Sequence, residues 1–383
     1  MAKIVVCGYM VRYPVAGMML VYFHYLLGLH RLGHDILYLE ESGWPKACYD
    51  PSSKTYGDDP TKGLRAVDDL LSRYGVEVEV GYVNRNTRQA FGLSWQEISQ
   101  HLKDADLLIN IGGVSWLPEF RDCSRLALID LDPFFTQLGM FAKEGFDAYD
   151  ILFSYGLNIG KPGCAIPTGG YSWCPTLPPV VPEIWRDDGG DPGVDRPFST
   201  IANWSAYGGV EYEGRYYGQK REEFLRLGDL PTRSPIPLEV ALAGIENHEE
   251  QALENDGWRL RESSFSENYD DYRAYIFGSR GEFSVAMEGY VATRSGWFSA
   301  RSVCYLAAGR PAVLQDTGFS DCIDSGRGLL AFSSPEEAIA ALEAVAADYE
   351  DHRCAARDLA REVFSYRRVL PALLERAMIG AAA

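Results

Sequence analysis

The chain has 383 residues, of which 46% are hydrophobic and 13% aromatic, and its formal net charge is −18. This length fits two domains of about 150 to 200 residues each, and the hydrophobic content is sufficient for packed cores throughout. The acidic charge argues against nonspecific binding to nucleic acid or to an anionic membrane surface, so any site for an anionic ligand must be built locally.

The cysteines and histidines predict neither a disulfide framework nor a structural zinc site. The eight cysteines include no CxxC pair, and the six histidines form no ligand-spaced cluster with them. The apolar run from Val15 to Leu29 is too short to span a bilayer, and the N-terminus lacks the features of a signal peptide. We therefore expect a cytoplasmic protein with reduced thiols and no membrane span.

The first residues have the pattern of a parallel βαβ unit. The apolar run Lys3–Met10 predicts a strand, followed by a loop with Pro14 and Gly17, a long apolar helix closed by Gly33, and a strand in "DILYLEE". The segments "DADLLINIGG" and "RLALIDLDP" predict two more buried strands. In open α/β sheets ligands gather at the carboxyl ends of the strands. The candidates to line a cleft there are Gly8, Gly17, Gly112, Gly113, Asp130 and Asp132.

A proline-rich stretch separates the two halves of the chain. Eight of the 20 prolines fall within 161–197, a density that regular helices and central strands do not tolerate. We place the first domain at 1–180, an interdomain linker at 181–197, a second α/β domain at 198–364 and a last helical segment at 365–383. Neither half carries a GxGxxG fingerprint or a Walker A sequence, which argues against a dinucleotide dehydrogenase and a nucleotide hydrolase.

The second half repeats the alternation of strands and helices. Strands are predicted within the segments "FSTIANWS", "PLEVALAGIE", "YRAYIFGSRGEFSVAMEGYV" and "PAVLQD". Near the end, Ser334 as N-cap, Pro335 at the first helical position and Glu337 three residues after the cap predict the start of a helix. The sequence thus predicts two Rossmann-like α/β domains.

The stretch "SGWFSARSVCYLAAGRPAVLQDTGF", residues 295–319, predicts a helix whose N-terminus meets an anion. Small residues let the backbone approach a ligand, and free amides with the helix dipole favour a phosphate there. Arg301 in the first turn opposes the dipole, which a bound diphosphate would explain; pairing with a surface acid is the alternative. Gly309 predicts the C-terminal cap, Pro311–Leu314 the next strand and Gln315–Gly318 a second polar loop. The two polar clusters would face one ligand.

This stretch, with "GLLAFSSPEEAIAALEAV" after it, resembles the C-terminal domain of GT-B-fold glycosyltransferases, the broad group called group 1 glycosyltransferases. The strongest match covers residues 283–364, and the openings of both domains match more loosely. The resemblance implies two Rossmann-like domains facing across a cleft, transfer of a sugar from a nucleotide-sugar donor to an acceptor hydroxyl, and a C-terminal helix that returns to the N-terminal domain. It also implies activity without a metal and no cofactor besides the nucleotide sugar.

The resemblance assigns three parts of the donor site. Ser295, Gly296, Trp297, Phe298, Ser299 and Arg301 would hold the diphosphate, Asp316, Thr317 and Gly318 the sugar hydroxyls, and Asn203, Trp204 and Lys220 the opposite wall. Each residue has a plainer interpretation: the tryptophans as core aromatics, Lys220 as a solvated helix charge, Asp316 as a turn residue. Cys304 replaces the family's ribose-binding glutamate and Gly296 stands at the preceding motif position, so ribose recognition stays unassigned.

The acceptor side is less marked in the sequence. An inverting transferase needs a base near the acceptor hydroxyl, and the loop after the first strand contains no histidine; His24 reads as a core residue. Asp132 is our candidate for the catalytic acceptor-side role, Arg301 for stabilising the leaving diphosphate, and Gly17, Asp130 and Gln137 for contacts with the acceptor. A natural-product scaffold, a polysaccharide or a lipid-linked sugar fits as acceptor. Two alternatives remain: a sugar-nucleotide epimerase of the same fold, or an inactive GT-B-like binding protein.

Overall fold

The computed structural model describes residues 1–139, 145–186, 190–205 and 208–379. Contacts divide the chain into two units: unit 1 comprises Met1–Gly156, Pro167–Val181 and Ser365–Ala383, and unit 2 comprises Leu157–Ile166 and Pro182–Phe364. The predicted linker includes 187–189 and the predicted C-terminal segment includes 380–383, which lie outside the described residues.

Unit 1 is built on an eight-stranded sheet with the strand order β10-β9-β8-β7-β1-β2-β5-β6. All neighbours pair in parallel except β5 and β6, which pair antiparallel. A two-stranded hairpin, β3 with β4, is separate from it. The strands are β1 Lys3–Cys7, β2 Asp35–Ser42, β3 Cys48–Asp50, β4 Thr55–Gly57, β5 Glu79–Asn84, β6 Gln89–Phe91, β7 Leu107–Ile111, β8 Leu126–Asp130, β9 Ile151–Ser154 and β10 Trp173–Pro175.

Three helices follow strands of this sheet: α1 Ala16–Arg31, α2 Thr61–Arg73 and α3 Trp95–Asp104. Helix α1 is apolar on nearly all sides and is buried along most of its length, as the uninterrupted run of apolar residues requires. The chain leaves it through Gly33, whose φ of +82° only glycine adopts without strain. Helix α3 starts with a capping box between Ser94 and Glu97. Each of these elements follows from local sequence signals.

Unit 2 is built on a six-stranded parallel sheet with the order β15-β14-β11-β16-β17-β18. The strands are β11 Phe198–Asn203, β12 Val210–Tyr212, β13 Arg215–Tyr217, β14 Leu238–Ala243, β15 Arg259–Glu262, β16 Gly281–Ser284, β17 Ala312–Gln315 and β18 Leu329–Phe332, of which β12 and β13 form a separate hairpin. The core of this unit contains a chain of contacting aromatic rings, Trp204, Phe224, Trp258 and Phe283.

The helices of unit 2 alternate with its strands. They are α4 Lys220–Leu227, α5 Leu230–Arg233, α6 Asn247–Asn255, α7 Tyr269–Gly278, α8 Glu288–Ala292, α9 Ala300–Ala307, α10 Pro335–Ala347 and α11 Tyr349–Glu362. Short 3-10 turns occur at Pro118–Asp122, Phe146–Ala148, Pro182–Trp185, Ser263–Glu267 and Phe319–Asp321. Ser334 caps α10 by accepting from Glu337 N, while the Glu337 carboxylate accepts from Ser333 N rather than from the cap residue itself.

The last helix, α12 Tyr366–Ile379, belongs to unit 1. It packs on α1 at Gly28, where a Cβ atom would come within 2.8 Å of Tyr366. In the described part of the chain, no helix has the length and apolarity needed to cross a membrane.

The structure confirms the predicted architecture of two Rossmann-like α/β halves. It differs from the sequence-based division at Leu157–Ile166, which was placed in 1–180 but lies with unit 2. The reason is a set of hydrogen bonds to the loop before α9, including Ala165 N to Thr293 O at 2.9 Å and Asn158 N to Ser295 O at 3.0 Å.

Candidate functional site

The two polar clusters predicted around α9 lie side by side at the carboxyl edge of the unit 2 sheet. We call residues 293–299 the α9 loop and residues 315–318 the β17 loop. Gly296 N donates to Thr317 O at 2.8 Å, and Thr317 Oγ1 donates to Trp297 O at 2.7 Å. Because both bonds connect the two loops directly, the loops form one rigid wall at the start of the helix.

Helix α9 begins after Ser299, whose Oγ accepts from Arg301 N at 3.2 Å. Gly296, three residues earlier, has a φ of +74°, and a Cβ atom there would lie 3.0 Å from Asn158 N. Both the backbone angle and the close approach require glycine at this position. The turn at Gly296 and the cap at Ser299 set the direction in which the first amides of α9 point.

A small pocket of about 20 Å³ opens at this helix N-terminus. Its lining includes Trp297, Ser299, Arg301, Ser302 and Thr317. Ser302 Oγ is fully buried and has no hydrogen-bond partner among the described residues. The volume matches about one water-sized group, so a single polar group of a larger ligand would fit into it.

The guanidinium of Arg301 has a partner that the sequence-based prediction did not identify. Nε donates to Glu282 Oε1 at 2.7 Å, Nη1 to Ile201 O at 2.6 Å and Nη2 to Ser284 Oγ at 2.8 Å. The Glu282 side chain is fully buried. Three of its five donors thus tie the first turn of α9 to β11 and β16. The predicted role of Arg301 at a diphosphate stays a prediction.

Arg301 keeps its charge in this position. Burial by itself lowers the pKa of the guanidinium, but the Glu282 carboxylate outweighs burial, and the pKa is raised above its ordinary value. A charged arginine therefore lines the pocket without leaving its ion pair.

Two other predicted donor residues use their side-chain hydroxyls for hydrogen bonds within the protein. Ser295 Oγ donates to Tyr290 O and accepts from Trp297 N, each at 3.1 Å. Thr317 is likewise buried and bonded to the α9 loop. Their hydroxyls are engaged in holding the loops. The predicted roles of Ser295 at the diphosphate and of Thr317 at the sugar hydroxyls stay predictions.

Of the three aromatic residues predicted at the donor site, two are buried in the core and one is half-buried. Phe298 stacks on Phe364, with ring centroids 4.7 Å apart, and Trp204 is 1% exposed and donates through Nε1 to Glu249 at 2.7 Å. Both are core residues, as the plainer interpretation of Trp204 has it, and Phe298 also lines the pocket. Trp297 is half-buried, stacks on Tyr290 at 4.5 Å and lines the pocket.

Asp316 occupies a turn. Its Oδ1 accepts from Gly318 N at 2.8 Å and its Oδ2 from Ser320 Oγ at 2.7 Å, which is the turn-forming role of an aspartate. Gly318 has a φ of +89°. Asn203 is exposed at the end of β11, and Lys220 is partly exposed at the start of α4.

Sequence reasoning missed an acidic cluster beside the pocket. Gln315, a lining residue, donates to Glu223 Oε2 at 2.6 Å, and Arg226 bonds both Glu223 and Glu288. Burial raises the pKa of Glu223. Burial also acts on Glu288, but bonds from Gly218 N and Arg226 outweigh it and hold the pKa of Glu288 below its ordinary value. The sequence signal for Glu223 and Glu288 is weak: each is an acidic residue near a glycine, after a predicted strand.

In unit 1, Asp130 organises the loop at the end of β8. Its Oδ1 accepts from Asp132 N at 2.8 Å, and its Oδ2 accepts from Gln137 Nε2 at 2.9 Å and Ser154 Oγ at 2.6 Å. Burial raises the pKa of Asp130 to about 6. Asp132 is half-buried in this loop, and Gly17 lies half-buried in the first turn of α1.

A second feature of this edge is a row of tyrosines that we call the tyrosine row. The ring centroids of Tyr9 and Tyr13 are 6.2 Å apart, those of Tyr13 and Tyr49 4.9 Å, and those of Tyr49 and Tyr56 5.1 Å. The rings are half-buried except that of Tyr56, which is 52% exposed. The row runs from the end of β1 to the β3–β4 hairpin.

The loop that carries the first two tyrosines is held by a buried ion pair. Arg12 and Glu40 are both fully buried, with Nε to Oε2 at 3.4 Å, and Glu40 also accepts from Val11 N at 2.6 Å and Arg12 N at 3.0 Å. Arg12 lies over the Tyr9 ring at 4.4 Å. Across the described ranges, no group of three or more His, Cys, Asp or Glu side chains is arranged to hold a metal ion.

No protein-family profile and no curated protein sequence matches the chain. Solved structures match it along nearly its whole length. HepE of Anabaena, in complex with UDP and glucose, has a TM-score of 0.55 and 12% identity over 98% of this chain and 99% of its own. An alpha-glucosyltransferase in complex with UDP-glucose and DNA has a TM-score of 0.58 and 9% identity over 97% and 98%.

A TarM variant of S. aureus, in complex with Fondaparinux, alpha-GlcNAc-glycerol and UDP, has a TM-score of 0.58 and 9% identity over 98% and 99% of the two chains. At these identities the likeness concerns the fold. The chain has the GT-B fold, with two Rossmann-like α/β halves, as its sequence predicted.

Proposed function

We propose that the protein is a glycosyltransferase that moves a sugar from a nucleotide-sugar donor to an acceptor hydroxyl. The observation that carries the proposal is the N-terminus of α9, where two interlocked loops, a charged arginine and the unpartnered Ser302 hydroxyl surround one pocket. Helix amides and a cation are what a diphosphate requires. The full-length fold likeness to enzymes whose structures contain UDP supports a uridine nucleotide as donor.

In this proposal the diphosphate lies at the first turn of α9. The amides and the Arg301 charge stabilise the negative charge that develops on the departing diphosphate, and they are already oriented before the reaction. Glu282, Ile201 and Ser284 fix that arginine. Since this positive charge comes from the chain, we propose that transfer needs no added metal.

The acceptor would bind at the carboxyl edge of the unit 1 sheet. Asp132, held next to Asp130 on the loop after β8, is our proposed acceptor-side base. The tyrosine row offers faces for a sugar ring or another partly apolar acceptor, together with hydroxyls at the ring edges. The net charge of −18 supports an uncharged acceptor in a cytoplasmic setting over a polyanion such as DNA.

The deciding experiment is isothermal titration of the purified chain with UDP, GDP and TDP, followed by incubation with the matching nucleotide sugars. Binding of one nucleotide, with sugar transfer to an added oligosaccharide or phenolic acceptor, is the expected result. The absence of binding to every nucleotide by the folded protein would refute the proposal. Turnover of the donor in which its sugar is epimerised, with no transfer, would indicate an epimerase instead. Binding without any turnover would indicate an inactive binding protein.

A further inference from the structure

Asn158 joins the α9 loop to the β17 loop. Its side-chain Nδ2 donates to Arg294 O at 3.2 Å and to Gly318 O at 2.9 Å, and its backbone N–H donates to Ser295 O at 3.0 Å. The residue is 6% exposed, so these bonds are shielded from bulk water. One side chain and one amide thus hold three carbonyl groups on the two loops.

The α9 loop needs such a restraint because the backbone conformation of Arg294 is unfavourable by itself, whereas Gly296 and Gly318 adopt positive φ without strain. Arg294 has a φ of +50°, and Gly296 and Gly318 have φ values of +74° and +89°. A residue other than glycine at positive φ persists only when surrounding contacts enforce it. Asn158 bonds the carbonyl of two of these three residues, and Gly296 lies against its backbone.

Asn158 is itself fixed from outside the two loops. It lies in the segment Leu157–Ile166, which is also tied to the α9 loop through Ala165 N and Thr293 O. Its Oδ1 accepts from the Cys322 thiol at 3.3 Å, and Lys161 Nζ lies 3.3 Å from the same sulfur. The contact with Cys322 agrees with the amide orientation that points Nδ2 at the two carbonyls, and the two Nδ2 bonds themselves keep that orientation.

We propose that Asn158 is a positioning residue of the donor site: it holds the two loops in the arrangement that receives a nucleoside diphosphate. The inference rests on the proposed function, which it deepens. Asn158 does not line the pocket at the start of α9, and it faces a separate pocket of about 280 Å³ with Arg294 and Cys322. In this proposal it acts through its bonds to the two loops. Loss of the restraint reduces the fraction of molecules with a competent site, and the apparent affinity falls by the same fraction.

The test uses Asn158→Asp in the full chain. The carboxylate has the same size and still accepts from Cys322, but it presents oxygen to the carbonyls of Arg294 and Gly318 and loses both donors. We expect amide hydrogen exchange in peptides covering 293–299 and 316–322 to become at least about tenfold faster, with β14 unchanged. Titration with UDP is expected to show a Kd about tenfold weaker.

Cys322→Ala is the matched control. It removes the other contact of the Asn158 side chain and leaves both Nδ2 donors in place, so loop exchange and the UDP Kd should stay within about twofold of the wild type. A second variant, Asn158→Ser, keeps one hydroxyl donor and covers the case in which Asn158→Asp does not fold. We expect Asn158→Ser to give an intermediate acceleration of exchange in both loops.

Exchange in either Asn158 variant at the wild-type rate would overturn the inference. Faster exchange with an unchanged UDP Kd would also overturn it, because the loops would then be held for a reason other than the nucleotide. The two proposals can fail separately. A wild-type chain that binds no nucleoside diphosphate refutes the proposed function. Amide hydrogen exchange of the ligand-free wild type and Asn158 variants still decides whether Asn158 holds the loops.

Discussion

Replacing Arg301 by methionine measures what the buried ion pair contributes to unit 2. The arginine side chain is 14% exposed, and that of Glu282 is fully buried, with Nε and Oε1 2.7 Å apart. Removing one partner of such a pair costs about 3–5 kcal/mol, because the other charge is left buried without compensation. Methionine retains most of the apolar stem of arginine. The loss in free energy of unfolding therefore measures mainly the missing charge and hydrogen bonds and not an empty cavity.

Two features place the expected loss near the upper end of this range, at about 4 kcal/mol. The variant also loses the bonds to Ile201 O and Ser284 Oγ, each worth about 1 kcal/mol or more because the donor is charged. In addition, Glu282 Oε2 is buried and already has no hydrogen-bond partner among the described residues. The other oxygen therefore depends on Arg301.

The assay is equilibrium unfolding in urea, followed by the tryptophan fluorescence of the intact chain. The double variant Glu282→Leu, Arg301→Met removes both charges and should recover most of the lost free energy of unfolding. Together with Glu282→Leu alone, it completes a double-mutant cycle. Arg361→Met is the matched control, because its pair with Asp358 is on the surface, with side chains 64% and 52% exposed. It should change the free energy of unfolding by less than about 1 kcal/mol.

A loss below about 1 kcal/mol for Arg301→Met would refute the reasoning, since a surface pair loses no more than that. A double variant no more stable than the single variant would also refute it. In that case the unpaired Glu282 carboxylate would not be the source of the loss.

Three further predictions concern the rest of the chain. Below about pH 4 protonated Asp130 contributes stability that is lost as the pH rises through about 6, since its folded pKa exceeds the ordinary value of 3.8. Asp130→Asn should therefore remove about 2 kcal/mol of pH dependence between pH 4 and pH 7, measured by urea unfolding at both pH values; an unchanged pH dependence would contradict this. Gly296→Ala should lower the free energy of unfolding by at least about 1 kcal/mol and weaken UDP binding, because Gly296 has a φ of +74° and its Cβ position contacts Asn158. The control Gly278→Ala, which has open space around its Cβ position, should change neither the free energy of unfolding nor UDP binding. Sugar transfer should persist in excess EDTA. If EDTA abolishes transfer and a divalent cation restores it, then the charge of Arg301 and the amides of α9 are not sufficient to stabilise the departing diphosphate.

The elements around the proposed donor site could be predicted because their signals are local. Residues 311–314 were predicted as a strand and the structure has β17 at Ala312–Gln315, one residue further on. The helix before it and the capped start of α10 follow in the same way from nearby residues. Apolar periodicity and caps depend on a few neighbours in sequence, so they can be read without knowing the fold.

The roles of the side chains could not be predicted in the same way. Arg301, Trp204 and Phe298 were assigned to a ligand from their place in a motif. Their partners Glu282, Glu249 and Phe364 lie 19 or more residues away along the chain. Polar composition identifies which loops meet at a site, but long-range packing decides which way each side chain turns.

The composition of unit 2 has a consequence for anyone who exchanges parts between proteins of this fold. Residues 182–364 form a continuous segment that could be taken for a complete domain. However, Leu157–Ile166 belongs to the same unit and supplies the hydrogen bonds to Ser295 and Gly318. Unit 1 in turn ends with α12, which lies beyond residue 364. In a chimera joined at the proline-rich stretch, the α9 loop would therefore contact a segment from the other protein. A recombinant that preserves the site must include Leu157–Ile166 together with residues 182–364.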